Sequence, residues 1–152
     1  PAIRSSLFEL GVSQISAGSR TNPGGYAHER KGAGTNGQFS LGDTRPLDEV
    51  IRDIVKHDCI PSFCTACYRL GRTGNDFMEL AKPGLIQQFC QPNAFLTFKE
   101  YLEDYASKET KKLGEELLEN EKIKFGKEHQ AISKKFNQRL KRIEEGERDL
   151  YF

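Results

Sequence analysis

The sequence predicts a mixed fold, α/β followed by α, in which one strand and a long loop precede a mainly helical region. Residues 7–19, "LFELGVSQISAGS", form an apolar segment that ends in small polar residues, which is typical of a strand. Residues 20–43 are too rich in glycine for a helix interior and predict a long loop. From residue 45 onward apolar side chains recur at helical spacing. We therefore predict two parts, residues 1–44 and residues 45–152.

Composition limits both the core and the partners of the chain. Hydrophobic residues make up 36% of its 152 residues and charged residues 30%, so we expect a modest core and much solvated helix. The 23 Lys and Arg residues nearly balance the 22 Asp and Glu residues, which argues against binding to nucleic acid or an acidic membrane surface. The opening "PAIRSSLFEL" lacks the features of a secretory signal, and the chain has no long apolar stretch, so a cytoplasmic location is expected.

The junction between the predicted strand and loop carries a polar cluster, "ISAGSRTNPGG", residues 15–25. Serine hydroxyls and backbone amides at a strand end can hold the carboxylate or amine of a small molecule, and Arg20 could act as an ionic clamp. The same segment is equally typical of a junction built only for turning.

No helix is expected on the N-terminal side of the predicted strand. The first predicted helix covers residues 45–58. Pro46 suits its first turn, and Lys56 and His57 suit its negative end. One face of this helix is apolar at positions Leu47, Val50, Ile51, Ile54 and Val55.

The stretch "IPSFCTACYRLGRTG", residues 60–74, follows this helix and contains two of the four cysteines. We expect Cys64 and Cys67 in an irregular connection after Pro61, where backbone amides can point at sulfur. A short helix is predicted over "GNDFMELAKPG", with Asn75 as its cap and with Phe77 and Met78 in the core. Cys90 is expected on the apolar turn after that helix.

Residues 93–145 predict two amphipathic helices with a break near Gly114 or Gly126. His129 is expected at a solvated position on a charged helix. The apolar positions that define the two helices are Leu102, Tyr105, Leu113, Leu117, Ile132, Phe136, Leu140 and Ile143.

The cysteines form a C-x2-C pair, Cys64 and Cys67, followed by Cys90 after 22 intervening residues. In a reducing compartment such thiols are more typical of metal ligands than of structural disulfides. Three interpretations fit this spacing: a zinc site completed by Cys59 or His57, an iron–sulfur cluster on three thiolates with one iron left open, or a redox dithiol. Outside a zinc site, Cys59 is expected to be a small buried or semi-exposed thiol and His57 a helix-end residue.

These stretches together carry a resemblance to a known family. "ISAGSRTNPGGY" followed by "FSLGDTRPLDEVIRDIVKHDCIPSFCTACYRLGRTGNDFMELAKPGLIQQFCQPNAFLTFKEYLEDYAS" resembles the C-terminal third of the tyrosine lyases that mature [FeFe]-hydrogenase, which are radical S-adenosylmethionine enzymes. The resemblance covers about residues 1–145. The C-x2-C-x22-C arrangement is its distinguishing feature, because the related tyrosine lyase of thiamine synthesis shares the barrel-end segment but lacks this cluster domain.

The resemblance implies a fold and a chemistry. Residues 1–44 would supply the last strand of a (β/α)8 barrel and a covering loop, and residues 45–152 a mainly helical iron–sulfur domain. The family cleaves tyrosine with a 5′-deoxyadenosyl radical to p-cresol and dehydroglycine, from which carbon monoxide and cyanide are made. Cys64, Cys67 and Cys90 would bind an auxiliary 4Fe-4S cluster with an additional iron. Ser16, Ser19 and Arg20, near the barrel end, would contact tyrosine or S-adenosylmethionine.

The chain departs from the family in one respect. The C-x3-C-x2-C triplet that binds the radical-generating 4Fe-4S cluster is absent from these residues, so that cluster and S-adenosylmethionine would belong to the upstream barrel of the complete enzyme. Other hydrogenase maturases are the further partners that the resemblance implies. The alternative is a zinc-stabilised helical interaction module.

Overall fold

The structure, a computed structural model, describes residues 2–21, 24–25, 39 and 43–152, and all of the regular elements in these ranges are helices. The predicted mainly helical architecture is confirmed. The helices, in chain order, are α1 (Ala2–Glu9), α2 (Leu47–Lys56), α3 (Ala66–Arg69), α4 (Gly74–Ala81), α5 (Gln87–Asp104), α6 (Lys108–Glu128) and α7 (Gln130–Glu144).

The strand predicted over residues 7–19 is wrong. Leu7 to Glu9 belong to α1, and this helix is followed by a turn in which the N–H of Gly11 donates to the carbonyl oxygen of Phe8 at 3.0 Å. A strand needs a neighbouring strand to pair its backbone groups, and the described ranges contain none. Helix α1 and the turn after it supply local hydrogen bonds up to Val12, and residues 13–19 have no regular structure. The loop predicted over residues 20–43 lies largely outside the described residues.

Helix α2 confirms its prediction closely. It begins after Pro46, carries Asp48 and Glu49 in its first turn, and ends at Lys56, with His57 as C-cap. The predicted apolar face is the buried one, formed by Val50, Ile51, Ile54 and Val55, whereas Leu47 is exposed.

The region predicted as two helices contains three. Helix α5 begins at Gln87, earlier than expected, and continues through the buried Pro92. The break between α6 and α7 falls at His129, shortly after Gly126, and α6 runs through Gly114 without interruption. His129 is not simply solvated, because its ring lies 4.8 Å from the ring of Phe125.

Two groups of apolar side chains form the core that α5 shares with its neighbours. One joins α5 to α6 and α7, and the other joins α2 to α5 and α6. The first contains Phe95, Leu96, Leu118, Phe125, Phe136, Leu140 and Ile143. The second contains Ile51, Val55, Phe98, Tyr101, Leu102 and Leu117.

A lysine near this core ties three helices together. Lys99 of α5 is 7% exposed, and its ammonium lies 2.7 Å from Glu103, 3.5 Å from Glu115 of α6 and 3.6 Å from Glu144 of α7. Although burial alone would lower the pKa of Lys99, these carboxylates raise it overall. The charge is therefore kept at the junction of α5, α6 and α7.

Among the residues that the structure describes, no helix combines the length and the apolar character required to cross a membrane.

Candidate functional site

The candidate site is built on the cysteine loop, which we define as residues 59–73 between α2 and α4. Cys64 lies in irregular backbone, as predicted, whereas Cys67 lies in the single-turn helix α3. The N–H of Ala66 points at the sulfur of Cys64 at 3.4 Å, which confirms the expectation that an amide in this connection faces sulfur.

Helix α3 ends in a turn that brings the chain back toward Cys67. Gly71 has a φ of 68°, and its N–H donates to the carbonyl oxygen of Tyr68 at 3.3 Å. The N–H of Arg72 donates to the carbonyl oxygen of Cys67 at 2.9 Å. This pair of bonds with glycine in the left-handed region is the Schellman termination of a helix. It places Arg72 directly beside the second cysteine.

Cys90 lies on α5, not on a turn as predicted, because the helix begins at Gln87. Burial is the largest influence that raises the pKa of the Cys90 thiol, and the charges of the Cys67 and Cys64 thiolates raise it further. The guanidinium of Arg72 acts in the opposite direction. The fold therefore brings all three predicted ligand cysteines into one electrostatic neighbourhood.

Cys59 and His57 are engaged in the turn that ends α2. The thiol of Cys59 donates to the carbonyl oxygen of His57 at 3.4 Å. Nδ1 of His57 lies 2.8 Å from the carbonyl oxygen of Asp53, one helical turn earlier. These contacts give both residues a local role at the helix end.

The donor set suits an iron–sulfur cluster chemically. All four cysteines are free thiols, and the charges of Cys64 and Cys67 act on the thiol of Cys90. Within the described ranges, no three His, Cys, Asp or Glu side chains are arranged to hold a single metal ion. Thiolates are ligands both of zinc and of the irons of an iron–sulfur cluster.

A cavity of about 740 Å³ opens beside Cys64. Its lining includes Phe63 and Tyr101, whose rings stack at 5.4 Å between centroids. The lining also includes Arg148 and Asp104, an ion pair with 2.6 Å between nitrogen and oxygen. The cysteine loop therefore borders a space large enough for a small molecule.

The last residues of the chain, 146–152, form a segment that we call the C-terminal strap. The N–H groups of Asp149 and Leu150 donate to the carboxylate of Glu100 on α5 at 2.7 and 3.3 Å. At the far end, the N–H of Phe152 donates to Oδ1 of Asn93 at 2.7 Å, and its carbonyl oxygen accepts a 2.9 Å bond from Arg72. The strap thus joins α5 to the cysteine loop.

Sequence reasoning did not identify the strap. Its only signal is "LYF", three large side chains that follow the last predicted helix. These side chains are half-buried in the structure, and the Arg139 guanidinium lies 3.9 Å from the centre of the Phe152 ring.

The predicted barrel-end residues lie near the start of α2. Nη1 of Arg20 donates to the carbonyl oxygens of Ser19 at 3.2 Å and Thr44 at 3.0 Å, and so connects the two ends of the glycine-rich segment. The carbonyl oxygen of Ser16 accepts a hydrogen bond from Arg4. In the structure these residues thus bind parts of the chain itself.

An ion-pair cluster next to these residues was also missed. The carboxylate of Asp43 is 3% exposed and lies 2.7 Å from Arg45 and 2.8 Å from Arg4. Hydrogen bonds from Arg45 outweigh the effect of burial and hold the pKa of Asp43 far below its usual range. The cluster fastens α1 to the start of α2.

Comparison with known proteins gives a specific result. No protein-family model and no curated protein matches the chain. Among solved structures, the crystal structure of HydG, a maturase of the [FeFe]-hydrogenase, matches with 46% sequence identity and a TM-score of 0.88. The match covers 100% of this chain and 32% of the HydG chain. The resemblance inferred from the sequence is confirmed, and this chain is similar over its whole length to about one third of the HydG maturase.

Proposed function

We propose that this chain is the C-terminal part of a radical S-adenosylmethionine tyrosine lyase that serves [FeFe]-hydrogenase maturation. The observation that carries the proposal is the 46% identity to HydG along the whole chain. We further propose that Cys64, Cys67 and Cys90 hold an auxiliary 4Fe-4S cluster with an additional iron. The gathering of these three free thiols in one electrostatic neighbourhood supports that assignment.

Each part of the site has a role in this proposal. When bound, a cluster on three protein thiolates supplies an iron open to an external ligand, which suits carbon monoxide and cyanide. The N–H of Ala66 orients the Cys64 sulfur, and the Schellman turn fixes Cys67 relative to Arg72. The cavity beside Cys64 gives small molecules access to the cysteine loop.

The remaining chemistry belongs to the complete enzyme. Tyrosine cleavage to p-cresol and dehydroglycine would take place in an upstream barrel with its own 4Fe-4S cluster and S-adenosylmethionine. We propose that Ser16, Ser19 and Arg20 contact tyrosine or S-adenosylmethionine there, because they lie in the segment that resembles the barrel end. Other hydrogenase maturases are the proposed partners, and a cytoplasmic location stays a prediction.

The test compares the proposed cluster ligands with Cys59, in the complete enzyme after anaerobic reconstitution with iron and sulfide. Cys64→Ala and Cys67→Ala should lose roughly half of the bound iron and sulfide, because one of two clusters disappears. Carbon monoxide output should fall, while p-cresol formation persists. Cys59→Ala is the matched control and should change none of these, and Arg20→Ala should slow tyrosine consumption without changing iron or sulfide.

Two outcomes would contradict the proposal. Loss of iron and sulfide in Cys59→Ala would place the fourth cysteine in the site. One zinc and no sulfide in the reconstituted wild type would make the zinc-stabilised interaction module the better interpretation, and such a protein would lack the broad visible absorption of a cluster.

A further inference from the structure

Arg72 is held in place from three sides next to the cysteine site. Its backbone N–H donates a hydrogen bond to the carbonyl oxygen of Cys67. Its guanidinium carbon lies 5.0 Å from the centre of the Phe89 ring, one residue before Cys90. Its Nη2 donates to the carbonyl oxygen of Phe152 at 2.9 Å. The C-terminal strap and α5 together therefore fix the guanidinium.

One buried donor of this guanidinium has no partner in the part of the chain that the structure describes. Nε of Arg72 is buried and has no hydrogen-bond partner among the residues that the structure describes. An unpaired buried N–H costs about 1–3 kcal/mol, and folded proteins rarely leave one unmatched. A partner that is not part of the protein chain would remove this penalty.

The other buried donor without a partner in the described structure has a different setting. Nη1 of Arg139 belongs to a guanidinium that lies 3.9 Å from the centre of the Phe152 ring. An aromatic face attracts a cation at this distance. Arg72 also lies over a ring, that of Phe89, but it adjoins the cysteine site, because Phe89 precedes Cys90 and the backbone N–H of Arg72 donates to the carbonyl oxygen of Cys67.

We propose that Nε–H of Arg72 donates a hydrogen bond to a sulfur atom of the cluster held by Cys64, Cys67 and Cys90. This inference rests on the proposed function, and it makes Arg72 a positioning residue for the cluster. A hydrogen bond to sulfur stabilises the more negative, reduced cluster and thereby raises its reduction potential. The strap takes part indirectly, because Phe152 holds the guanidinium at the correct orientation.

The experiment compares Arg72→Gln and Arg72→Lys with Arg69→Gln in the reconstituted complete enzyme. Iron and sulfide are measured first. The reduction potential of the auxiliary cluster then follows from a redox titration of the electron paramagnetic resonance signal that S-adenosylmethionine does not perturb. Arg69 is a matched control because it is an exposed arginine at the end of α3 that pairs with Asp149.

Arg72→Gln should shift the potential to more negative values, because the charge and the Nε–H donor are both lost. Arg72→Lys should shift it less, and Arg69→Gln should leave it near the wild-type value. If Arg72→Gln fails to retain the cluster, the reduction potential of Arg72→Lys tests the inference instead, because lysine keeps the positive charge but lacks Nε–H.

The inference is overturned if cluster-loaded Arg72→Gln keeps the wild-type potential, or if Arg69→Gln shifts the potential equally. If Arg72→Lys is the deciding variant, a reduction potential equal to that of the wild type likewise overturns the inference. A wild-type protein that binds no sulfide refutes the proposed function instead, so the two failures are distinguishable.

Discussion

At the scale of single residues, Gly114 sets the separation between α5 and α6. A Cβ atom at this position would lie 2.6 Å from Cδ2 of Leu102 and 2.9 Å from Cζ of Phe98. Both of these side chains are fully buried, so neither can move away freely. The weak helix propensity of Gly114 is therefore outweighed by the close packing that it permits.

Gly114→Ala should destabilise the chain. Overpacking a filled core costs about 1–3 kcal/mol, which exceeds the gain of about 1 kcal/mol from replacing glycine inside a helix. We expect a net loss of up to about 2 kcal/mol in the free energy of unfolding, measured by urea denaturation.

Gly126→Ala is the matched control in the same helix. Its new Cβ atom would meet only Oγ of Ser133 at 3.3 Å, and a serine side chain can rotate away. The propensity gain should then leave the free energy of unfolding unchanged or higher. Equal destabilisation by the two substitutions would contradict the packing explanation.

Single residues also show the limit of sequence reasoning. The spacing of Cys64, Cys67 and Cys90 was sufficient to select them as candidate ligands, because the chemistry of thiols is local. Their neighbours were not predictable, since Arg72 meets Phe152 across 80 positions of sequence. Met78 was expected in the core but is 43% exposed, because α4 buries no side chain fully.

At the scale of helices, Asp48 joins three elements. Its carboxylate accepts hydrogen bonds from the hydroxyl of Tyr101 on α5 at 3.1 Å and from the hydroxyl of Thr110 on α6 at 2.9 Å. It also accepts one from the N–H of Ser107, the N-cap of α6, at 3.1 Å. The start of α2 is thereby fastened to both helices that it packs against.

Asp48 should make stability depend on acid pH. Burial alone would raise the pKa of Asp48, but the hydrogen bonds from Ser107, Thr110 and Tyr101 lower it overall. A carboxyl with a lowered pKa in the folded state stabilises the fold above its unfolded pKa of about 3.9, and this contribution is lost as the pH falls toward the folded value.

Asp48→Asn should therefore lower the free energy of unfolding by roughly 1–3 kcal/mol at pH 7, with a smaller difference from wild type below about pH 4. Urea denaturation at both pH values measures the effect. Glu49→Gln is the control, because Glu49 is exposed in the same turn. A difference between Asp48→Asn and wild type that does not change with pH would rule out the titration of Asp48 as the cause.

Helices were predicted well where the periodic pattern faces a core and poorly where packing decides the ends. The five apolar positions assigned to α2 included all four that are buried. The strand over residues 7–19 failed because the apolar run fits a helix equally well, and its interpretation depended on strands that the described residues do not contain. The start of α5 was missed because Cys90 was placed on a turn, although the helix begins at Gln87 and continues through the buried Pro92.

At the scale of the whole molecule, the C-terminal strap connects parts that are distant in sequence. It contacts Glu100 and Asn93 on α5, Arg72 in the cysteine loop, and Arg139 on α7 through its aromatic end. The cysteine loop has little regular structure of its own, and the hydrogen bond from Arg72 to Phe152 ties it to the strap. Only the complete fold reveals this relation between the last residues and the candidate ligands.

Asn93→Ala should release the strap without unfolding the helices. Asn93 is 2% exposed, and its amide both accepts from the N–H of Phe152 and donates to its carbonyl oxygen, at 2.7 and 3.4 Å. The loss leaves a backbone N–H without its partner, which costs about 1–3 kcal/mol locally. Amide hydrogen exchange in residues 149–152 should accelerate by about 10-fold to 100-fold, and exchange in residues 64–72 should also accelerate because Arg72 loses a fixed partner.

Asn137→Ala, at an exposed position on α7, should leave both segments unchanged. Uniform acceleration throughout α5, α6 and α7 would instead mean that Asn93 supports the fold as a whole, and the strap would have no separate role in ordering the cysteine loop.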